Sequence, residues 1–336
     1  MTTRPHPAVA RVRLAVREFL EGQAAPYLEG GDVCVAVSGG ADSLALAEAT
    51  AYVGRHLGLR VRALVVDHGL QDGSAVVAES AAKAALSLGV DRADVLTVHV
   101  TGVGGPEAAA RRARYGALGG VSPALVLLGH TLDDQAETVL LGLGRGSGPR
   151  SMAGMRPLDP PWGRPLLAVP RSVTRDACAA LNVQPWQDPH NADSRFTRVR
   201  LRAEVLPLLE DVLSGGVAAA LVRTAAQLRE DTEALDTLAD ELLARSRVAD
   251  QLDQLDVRTL APAPAALRRR TLRRWLLDAG VRDLSDGHLR AVDALIHEWH
   301  GQGGIWLPGH LEVTRCRGRL SLNSPELSAG SATRGD

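Results

Sequence analysis

The first 145 residues alternate short apolar runs with longer stretches of helical periodicity. The apolar runs, each bounded by turn residues, cover residues 33–37, 61–66, 95–100 and 124–129. The helical stretches cover residues 43–57, 75–89, 106–119 and 133–143. Strands that alternate with helices of this length form βαβ units, whose helices cover both faces of a parallel sheet. The pattern therefore predicts an α/β fold with an N-terminal doubly wound parallel sheet.

The rest of the chain has a different character. Residues 144–200 are rich in glycine, proline and arginine, which is typical of a long functional loop or an irregular connection. A helical hairpin broken at Ser-Gly-Gly follows, and then a small α+β unit that ends in a hairpin. We predict four segments: an N-terminal helical extension (1–30), the parallel-sheet domain (31–200), a helical and α+β domain (201–322) and a disordered tail (323–336).

Composition narrows the class of protein. With 45% hydrophobic and 23% charged residues and a net charge of −1, the chain reads as a soluble globular protein. It has no apolar run of membrane-spanning length and no signal-peptide core, so we expect a cytoplasmic protein without a membrane partner. Its three cysteines form no Cys-x-x-Cys pair, which argues against a disulfide framework, a zinc site or an iron–sulfur site. Lys83 is the only lysine, which excludes a P-loop lysine.

Residues 38–43, Ser-Gly-Gly-Ala-Asp-Ser, follow the first predicted strand and open a helix. Backbone N–H groups in such a turn form an anion site, to which the hydroxyls of Ser38 and Ser43 can add donors. Asp42 would repel a phosphate unless Mg²⁺ lies between them, as it does where carboxylates meet triphosphates. The alternative is an ordinary turn in which Asp42 caps the helix. The hexapeptide resembles the pyrophosphate-binding loop of the N-type ATP pyrophosphatases.

Residues 129–148 follow the fourth predicted strand. Asp134 and Glu137 lie three positions apart, so both face one side of a helix near its start. Such a pair can coordinate Mg²⁺, bind an ammonium group or accept a proton from an amine, and capping of the first turn is the alternative. The run Gly-His-Thr-Leu-Asp-Asp-Gln-Ala-Glu-Thr resembles a stretch typical of the tRNA(Ile)-lysidine synthase family. Further segments resemble that family in the same order: residues 65–74, 107–118, 164–209 and 303–322.

The resemblance covers most of residues 30–322 and implies an activity and a set of site residues. It implies adenylation, with ATP and Mg²⁺, of C2 of the wobble cytidine in tRNA(Ile) with a CAU anticodon, followed by attack of the ε-amine of L-lysine. Asp42 is then expected at the metal, and Asp134 and Glu137 at the lysine. The residues expected at ATP are Ser38, Gly39, Gly40, Ala41, Asp42, Ser43, Val66, His68, Gly129 and His130. The catalytic candidates are Asp42, Arg111, Arg114, Asp134 and Glu137.

Arginines cluster in the later segments, although the global charge is close to neutral. Residues 145–175 carry six arginines against Asp159, and residues 268–274 carry five more. Such patches can neutralise RNA phosphates, while sequence would be read at unstacked loop bases. A solvated surface position is the alternative for each arginine taken singly. The tRNA-binding candidates are Arg145, Arg171, Arg195, Arg198 and Arg202.

Other activities share the ATP loop. A tRNA thiolase needs a sulfur-carrying cysteine or an iron–sulfur cluster, and an amidating ligase needs an ammonia source; the sequence shows a signature of neither. A non-catalytic nucleotide-binding regulator would have no reason to combine Asp42, Asp134 and Glu137. The sequence leaves open whether the protein forms a homodimer.

Overall fold

The computed structural model describes residues 4–69, 73–100, 106–121, 125–146, 148–188, 193–248 and 251–323. The chain divides into two compact units, Met1–Leu228 and Arg229–Asp336, so the division falls within one helix, α10 (Val217–Ser246). The four segments drawn from the sequence stay a prediction. All but the first residue of the proposed disordered tail lies outside the described residues.

The first unit contains the predicted alternation of strands and helices. It opens with α1 (Pro7–Glu21) and a 3₁₀ turn (Ala25–Tyr27). Its strands are β1 (Asp32–Ala36), β2 (Arg60–Asp67), β3 (Arg92–Thr97), β4 (Val126–Leu127), β5 (Leu158–Asp159) and β6 (Trp162–Gly163). The helices up to residue 180 are α2 (Ala41–Leu57), α3 (Ser74–Ser87), α4 (Pro106–Val121), α5 (Leu132–Gly144), α6 (Pro149–Met152) and α7 (Arg171–Ala180). They continue as α8 (Thr197–Arg200), a π-helical turn (Leu201–Val205) and α9 (Leu206–Val212).

These strands form one six-stranded sheet in the order β3-β2-β1-β4-β6-β5. All neighbouring pairs are parallel except β5 with β6. Along β1, Val33 and Val35 enter one hydrophobic core, shared with α1, α2, α3 and α7, while Cys34 enters a second core with Leu118 of α4. Successive strand residues point to opposite faces, so both faces of the sheet are covered. The predicted doubly wound parallel sheet is confirmed.

The segment predicted as a long loop or irregular connection is more ordered than its composition suggests. Residues 144–200 include the ten-residue helix α7, whose Ala177 and Cys178 are buried in the core of the first unit. Its high share of glycine, proline and arginine conceals this amphipathic stretch. Because α7 packs against α1 and α2, its first residue, Arg171, has a fixed position.

The second unit is a small α+β domain, as predicted. It contains the end of α10 and then β7 (Arg247–Val248), β8 (Gln251–Asp256), α11 (Val257–Leu260), α12 (Ala265–Asp278), α13 (Asp286–His297), β9 (Ile305–Leu307), β10 (Leu311–Cys316) and β11 (Arg319–Asn323). The antiparallel strands lie in the order β7-β8-β11-β10-β9 and share a core with α12 and α13, in which Trp275 is fully buried.

The arginine-rich stretch 268–274 forms much of α12 and is less available to RNA than its charge implied. Arg268 is buried and donates to Asp293 over 2.7 Å, and Arg270 lies 2.6 Å from Asp236. The predicted phosphate-neutralising patch is therefore partly a set of internal ion pairs. No single helix among the described residues is long and apolar enough to cross a membrane; one bent pair, 197–212 with 217–246, could do so by length and composition alone.

Candidate active site

The carboxyl ends of β1, β2 and β4 open into one cavity of about 1100 Å³ in the first unit. Ligands of open α/β sheets bind at this edge. Most of the predicted ATP and catalytic residues line the cavity: Ser38, Gly40, Ala41, Asp42, Ser43, Val66, His68, Arg114, Gly129, His130 and Asp134. Two residues predicted as tRNA contacts, Arg171 and Arg202, also line it.

The loop after β1 is shaped by its glycines and serines. Gly39 has a φ of +83°, a conformation that glycine adopts without strain. The hydroxyls of Ser38 and Ser43 lie 3.2 Å apart, and Ser43 Oγ also donates to the carbonyl of Gly40 over 2.9 Å. Both hydroxyls therefore lie beside the first turn of α2, whose free N–H groups favour an anion.

The end of β4 lies directly against this loop. A Cβ on Gly129 would lie 3.1 Å from the backbone carbonyl of Asp42 and 3.2 Å from the nitrogen of Ser43. Glycine therefore allows the two segments to approach as closely as they do. The close approach brings the two sequence motifs that point to function into one site.

Helix α5 begins with a reciprocal capping box. Both the backbone N–H and the hydroxyl of Thr131 donate to Asp134 Oδ2 over 2.8 Å. The other oxygen, Oδ1, lies 2.6 Å from Arg171 Nη2. The sequence offered capping and ligand binding as alternatives for Asp134. In the structure one oxygen caps the helix and the other is directed towards charged side chains at the cavity.

Arg171 is the cation at the centre of this site. Its side chain is 10% exposed, and its Nε donates to Asp42 Oδ2 over 3.2 Å. Its backbone N–H donates to Asp133 Oδ2 over 2.8 Å, which fixes the start of α7 against α5. The guanidinium predicted to contact tRNA therefore joins the carboxylates of Asp42 and Asp134, and its role at tRNA stays a prediction.

The two carboxylates respond differently to this environment. Burial raises the pKa of Asp42, and its hydrogen bonds to Thr174 and Arg171 do not offset the effect fully. Burial acts in the same direction on Asp134, but Arg171 and the two donors of Thr131 outweigh it and hold the pKa of Asp134 below its ordinary value. Asp134 is therefore the more firmly ionised of the two.

Glu137 lies one turn further along α5 and has no exposed surface. Its Oε1 accepts from Arg202 Nε over 2.7 Å, and its Oε2 lies 3.7 Å from Arg198 Nη1. Arg171 Nη1 also lies 3.7 Å from Oε1, so three predicted tRNA contacts are ion-paired with a predicted lysine ligand. Of the other candidates in that group, Arg195 is exposed and bound to Asp193, and Arg145 is exposed at the end of α5.

Two histidines face the cavity, each with a buried Nδ1 that has no hydrogen-bond partner among the described residues. Burial lowers the pKa of His130 to about 4; Asp134 opposes this, whereas the guanidinium groups of Arg164 and Arg114 add to it. Burial and Arg114 also lower the pKa of His68. Both rings can therefore offer a neutral nitrogen to a ligand near pH 7.

This environment predicts an unusual titration of His130. Its imidazole resonances are expected to stay unchanged from pH 8 to pH 5.5 and to move only near pH 4, because the cavity disfavours the imidazolium ion. Two-dimensional NMR of the histidine rings measures the midpoint, and His130→Asn identifies the signal. The urea-unfolded protein should titrate near 6.5 as a control. A midpoint above 6 in the folded protein would contradict the burial argument.

Arg111 and Arg114 differ in access. Arg114 lines the cavity, and burial lowers its pKa, although a guanidinium remains charged at neutral pH. Arg111 is exposed; it donates to the hydroxyl of Tyr115 over 3.2 Å and packs over the Tyr115 ring. Arg114 is thus placed to meet a ligand in the cavity, and Arg111 lies outside it.

Three residues that line the cavity or contact Asp42 were not among the predicted site residues. Thr174 donates to Asp42 Oδ1, and its place three residues after Arg171 on a helix was a usable signal. Trp186 donates its backbone N–H to the carbonyl of Gly39 over 2.9 Å, which ties residues 183–188 to the loop. Cys178 also lines the cavity, and burial raises the pKa of its thiol to about 11.

The residues present fit Mg²⁺ that arrives with a triphosphate better than a resident metal. Within the described ranges, no group of three or more His, Cys, Asp and Glu side chains is placed to hold a metal ion. Asp42 supplies a single carboxylate beside the anion-binding turn. Mg²⁺ at nucleotide sites is held by one or two carboxylates together with substrate phosphates, which matches this donor set.

Fold and site together define an enzyme of the PP-loop class. A PP-loop domain model matches residues 12–209, and a TilS substrate binding domain model matches residues 255–321. A U34-tRNA thiolase from Methanococcus maripaludis has a similar fold, with a TM-score of 0.55 at 20% identity over 66% of this chain and 80% of that one.

Comparison with curated proteins identifies the family. A tRNA(Ile)-lysidine synthase from Rhodococcus erythropolis is 56% identical over 92% of this chain and 95% of its own. Another from Nocardia farcinica is 57% identical over 91% and 97%, and one from Mycobacterium bovis is 56% identical over 89% and 90%. The chain belongs to the tRNA(Ile)-lysidine synthase family. The predicted class, an ATP-dependent ligase that forms a carbon–nitrogen bond, is confirmed.

Proposed function

We propose that the protein converts the wobble cytidine of tRNA(Ile) with a CAU anticodon into lysidine. The C2 carbonyl oxygen attacks the α-phosphorus of ATP, the bond to the β-phosphate breaks, and pyrophosphate leaves. The ε-amine of L-lysine then attacks C2, the bond between C2 and the adenylate oxygen breaks, and AMP departs with release of a proton. The names of the curated relatives support this substrate and product.

One observation carries the proposal: a single guanidinium joins the carboxylate at the anion-binding turn to the carboxylate at the start of α5. Arg171 lies 3.2 Å from Asp42 and 2.6 Å from Asp134. In this proposal the phosphate site and the ammonium site are thus separated only by the side chain of Arg171. A reaction that activates an oxygen with ATP and then brings in an amine needs this proximity.

The residues of the cavity have distinct roles in this scheme. The hydroxyls of Ser38 and Ser43 and the amides of the turn bind the leaving pyrophosphate, and Asp42 would hold Mg²⁺, which would neutralise phosphate charge there. Arg114 steadies negative charge that develops at the α-phosphate. His130, neutral at pH 7, hydrogen-bonds the phosphate or the base. Catalysis is then mostly positioning and charge neutralisation.

The lysine site is assigned to Asp134 and Glu137. Asp134 lines the cavity, its Oδ1 contacts Arg171 and Arg202 there, and its lowered pKa keeps the carboxylate anionic, as binding of an ammonium group requires. The amine must lose a proton before it attacks C2, and either carboxylate could accept it. Cytoplasmic location and a homodimer remain predictions; light scattering coupled to gel filtration tests the second.

The structure counts against the alternative of a tRNA thiolase. The cavity thiol, Cys178, donates to the carbonyl of Ala41 over 3.4 Å, and burial with the nearby charge of Asp42 raises its pKa to about 11. A sulfur carrier must be a thiolate to react, and this group is protonated at neutral pH. Cys34 is buried within β1.

Pyrophosphate release separates the candidate functions. With ATP and tRNA(Ile) of CAU anticodon, release is expected to depend on the tRNA, and addition of L-lysine is expected to yield AMP and a lysidine-containing tRNA, detected by mass spectrometry. The same tRNA with a UAU anticodon serves as a control, because it lacks the target cytidine. Release that proceeds at the same rate without tRNA, or tRNA that gains sulfur instead of lysine, would overturn the proposal.

A further inference from the structure

The proposed lysine site is closed on the side of Glu137. This carboxylate has no exposed surface, and Arg202, which lines the cavity, covers it with a contact of 2.7 Å between Arg202 Nε and Glu137 Oε1. The other oxygen, Oε2, has no hydrogen-bond partner among the described residues. A buried acceptor of this kind is costly unless a donor reaches it in another state of the protein.

Arg202 occupies the position that the substrate ammonium would need. Besides its contact with Glu137, its Nη2 lies 3.5 Å from Asp134 Oδ1, so one guanidinium bridges both carboxylates. These are the two groups assigned to the ammonium of lysine. Arg171 already lies at the same oxygens, 2.6 Å from Asp134 Oδ1 and 3.7 Å from Glu137 Oε1, so a substrate ammonium would be a third cation there. Repulsion between like charges makes the ammonium and Arg202 compete for the same place.

Arg202 is partly exposed to solvent, so an RNA phosphate can reach it as an alternative partner. Its side chain is 33% exposed, and that of Arg198, one turn earlier, is 37% exposed. Both lie in residues 195–202, which carry four arginines and no acidic residue, and guanidinium groups bind phosphates strongly. Residues 201–205 form a π-helical turn, an irregularity that often occurs at functional sites.

We propose that Arg202 is a placeholder for the lysine substrate: it neutralises Asp134 and Glu137 until RNA phosphates draw it, with Arg198, out of the site. Lysine then binds tightly only when tRNA is present. The inference rests on the proposed function and adds a positioning residue and a binding order to it. Arg171 stays 3.7 Å from Glu137 Oε1, and the entering ammonium replaces the positive charge that Arg202 removes from the buried carboxylate.

The coupling is measured as lysine affinity with and without RNA. Equilibrium dialysis of radiolabelled lysine, without ATP so that no reaction occurs, is expected to give a dissociation constant about tenfold lower with tRNA(Ile) than without it, within the 5–150-fold range of coupled sites. By reciprocity, saturating lysine should tighten tRNA binding by the same factor. Equal lysine affinity in the two states would overturn the inference.

A variant separates the placeholder from other causes of coupling. Arg202→Gln is expected to bind lysine about tenfold more tightly than the wild type without tRNA, and to lose most of the effect of tRNA. Arg200→Gln, two residues earlier, is the matched control, because Arg200 is exposed and paired with Glu204 at 2.9 Å. Its lysine affinity should stay within twofold of the wild type. If Arg202→Gln binds lysine more weakly than the wild type, Arg202 is a ligand of lysine instead of a placeholder.

Separate controls distinguish a folding defect, failure of the placeholder and failure of the proposed function. Should Arg202→Gln fail to fold, Arg202→Lys retains a cation but loses the Nε contact, and an intermediate lysine affinity is expected. Lysidine formation by the wild type without any coupling would reject the placeholder and leave the proposed function intact. Failure to form lysidine under any condition would reject the proposed function itself.

Discussion

Replacing Asp42 with asparagine is expected to lower tRNA-dependent pyrophosphate release by at least about 100-fold, the range measured when one preorganised electrostatic group is removed from an active site. The amide has the size of the carboxylate and can still accept from Thr174, but it carries no charge for Mg²⁺. Burial raises the pKa of Asp42, so its ionised form costs stability in the folded protein and removal of the charge is not expected to destabilise the fold. The rate of pyrophosphate release at saturating ATP measures the effect.

Asp32→Asn is the matched control for this prediction. Asp32 lies at the opposite end of β1, where it is exposed and paired with Arg60 at 2.7 Å, so activity should stay within twofold of the wild type. Thermal unfolding of both variants should resemble that of the wild type. A modest increase in the ATP requirement of Asp42→Asn, with full activity at saturation, would mean that Asp42 has no role at the metal.

Replacing Arg171 with methionine is expected to destabilise the protein by about 3–5 kcal/mol at pH 7.5, the usual effect of removing one partner from a buried ion pair. Methionine fills much of the same volume, yet Asp42 and Asp134 would lose their shared cation. The free energy of unfolding in urea measures the effect. Arg195→Met is the control: this side chain is 83% exposed and its pair with Asp193 is screened by solvent, so the free energy of unfolding should stay close to that of the wild type.

The pH dependence distinguishes charge from packing as the cause. Without Arg171, burial would raise the pKa values of Asp42 and Asp134 above those of the unfolded chain. Such groups lower stability above their raised pKa values, and the penalty disappears as the pH falls and they take up protons. The deficit of Arg171→Met is therefore expected to shrink between pH 7.5 and pH 5. A deficit that stays constant over this interval would assign the loss to packing.

The fold was predictable because its signals are local. Apolar runs of strand length, each followed by a helical stretch, are sufficient to predict βαβ units, and the glycine turn at 38–43 marks the strand end at which ligands bind. The pairing of Gly129 with the first turn of α2 gives a physical reason for one glycine that the motif alone left unexplained.

The ion-pair network was not predictable, because its members are distant in the chain. Arg171 and Asp42 are 129 positions apart, and Arg202 and Glu137 are 65 apart. From composition, an arginine in a basic segment is equally compatible with an RNA phosphate and with a buried carboxylate. Only the hydrogen bond from the start of α7 to Asp133 and the contact of the π-helical turn with α5 determine which of these partners it meets in the structure.

The cavity thiol has a consequence for covalent chemistry. Electrophiles such as iodoacetamide or acrylamide-bearing nucleotide analogues attack thiolates, and the Cys178 sulfur, with a pKa near 11, is almost entirely protonated at neutral pH. Cys316 is exposed on the second unit and is accessible to the same reagents. Alkylating probes would therefore label Cys316 in preference to the cavity thiol, so a label found on this protein is no indication of an occupied ATP cavity.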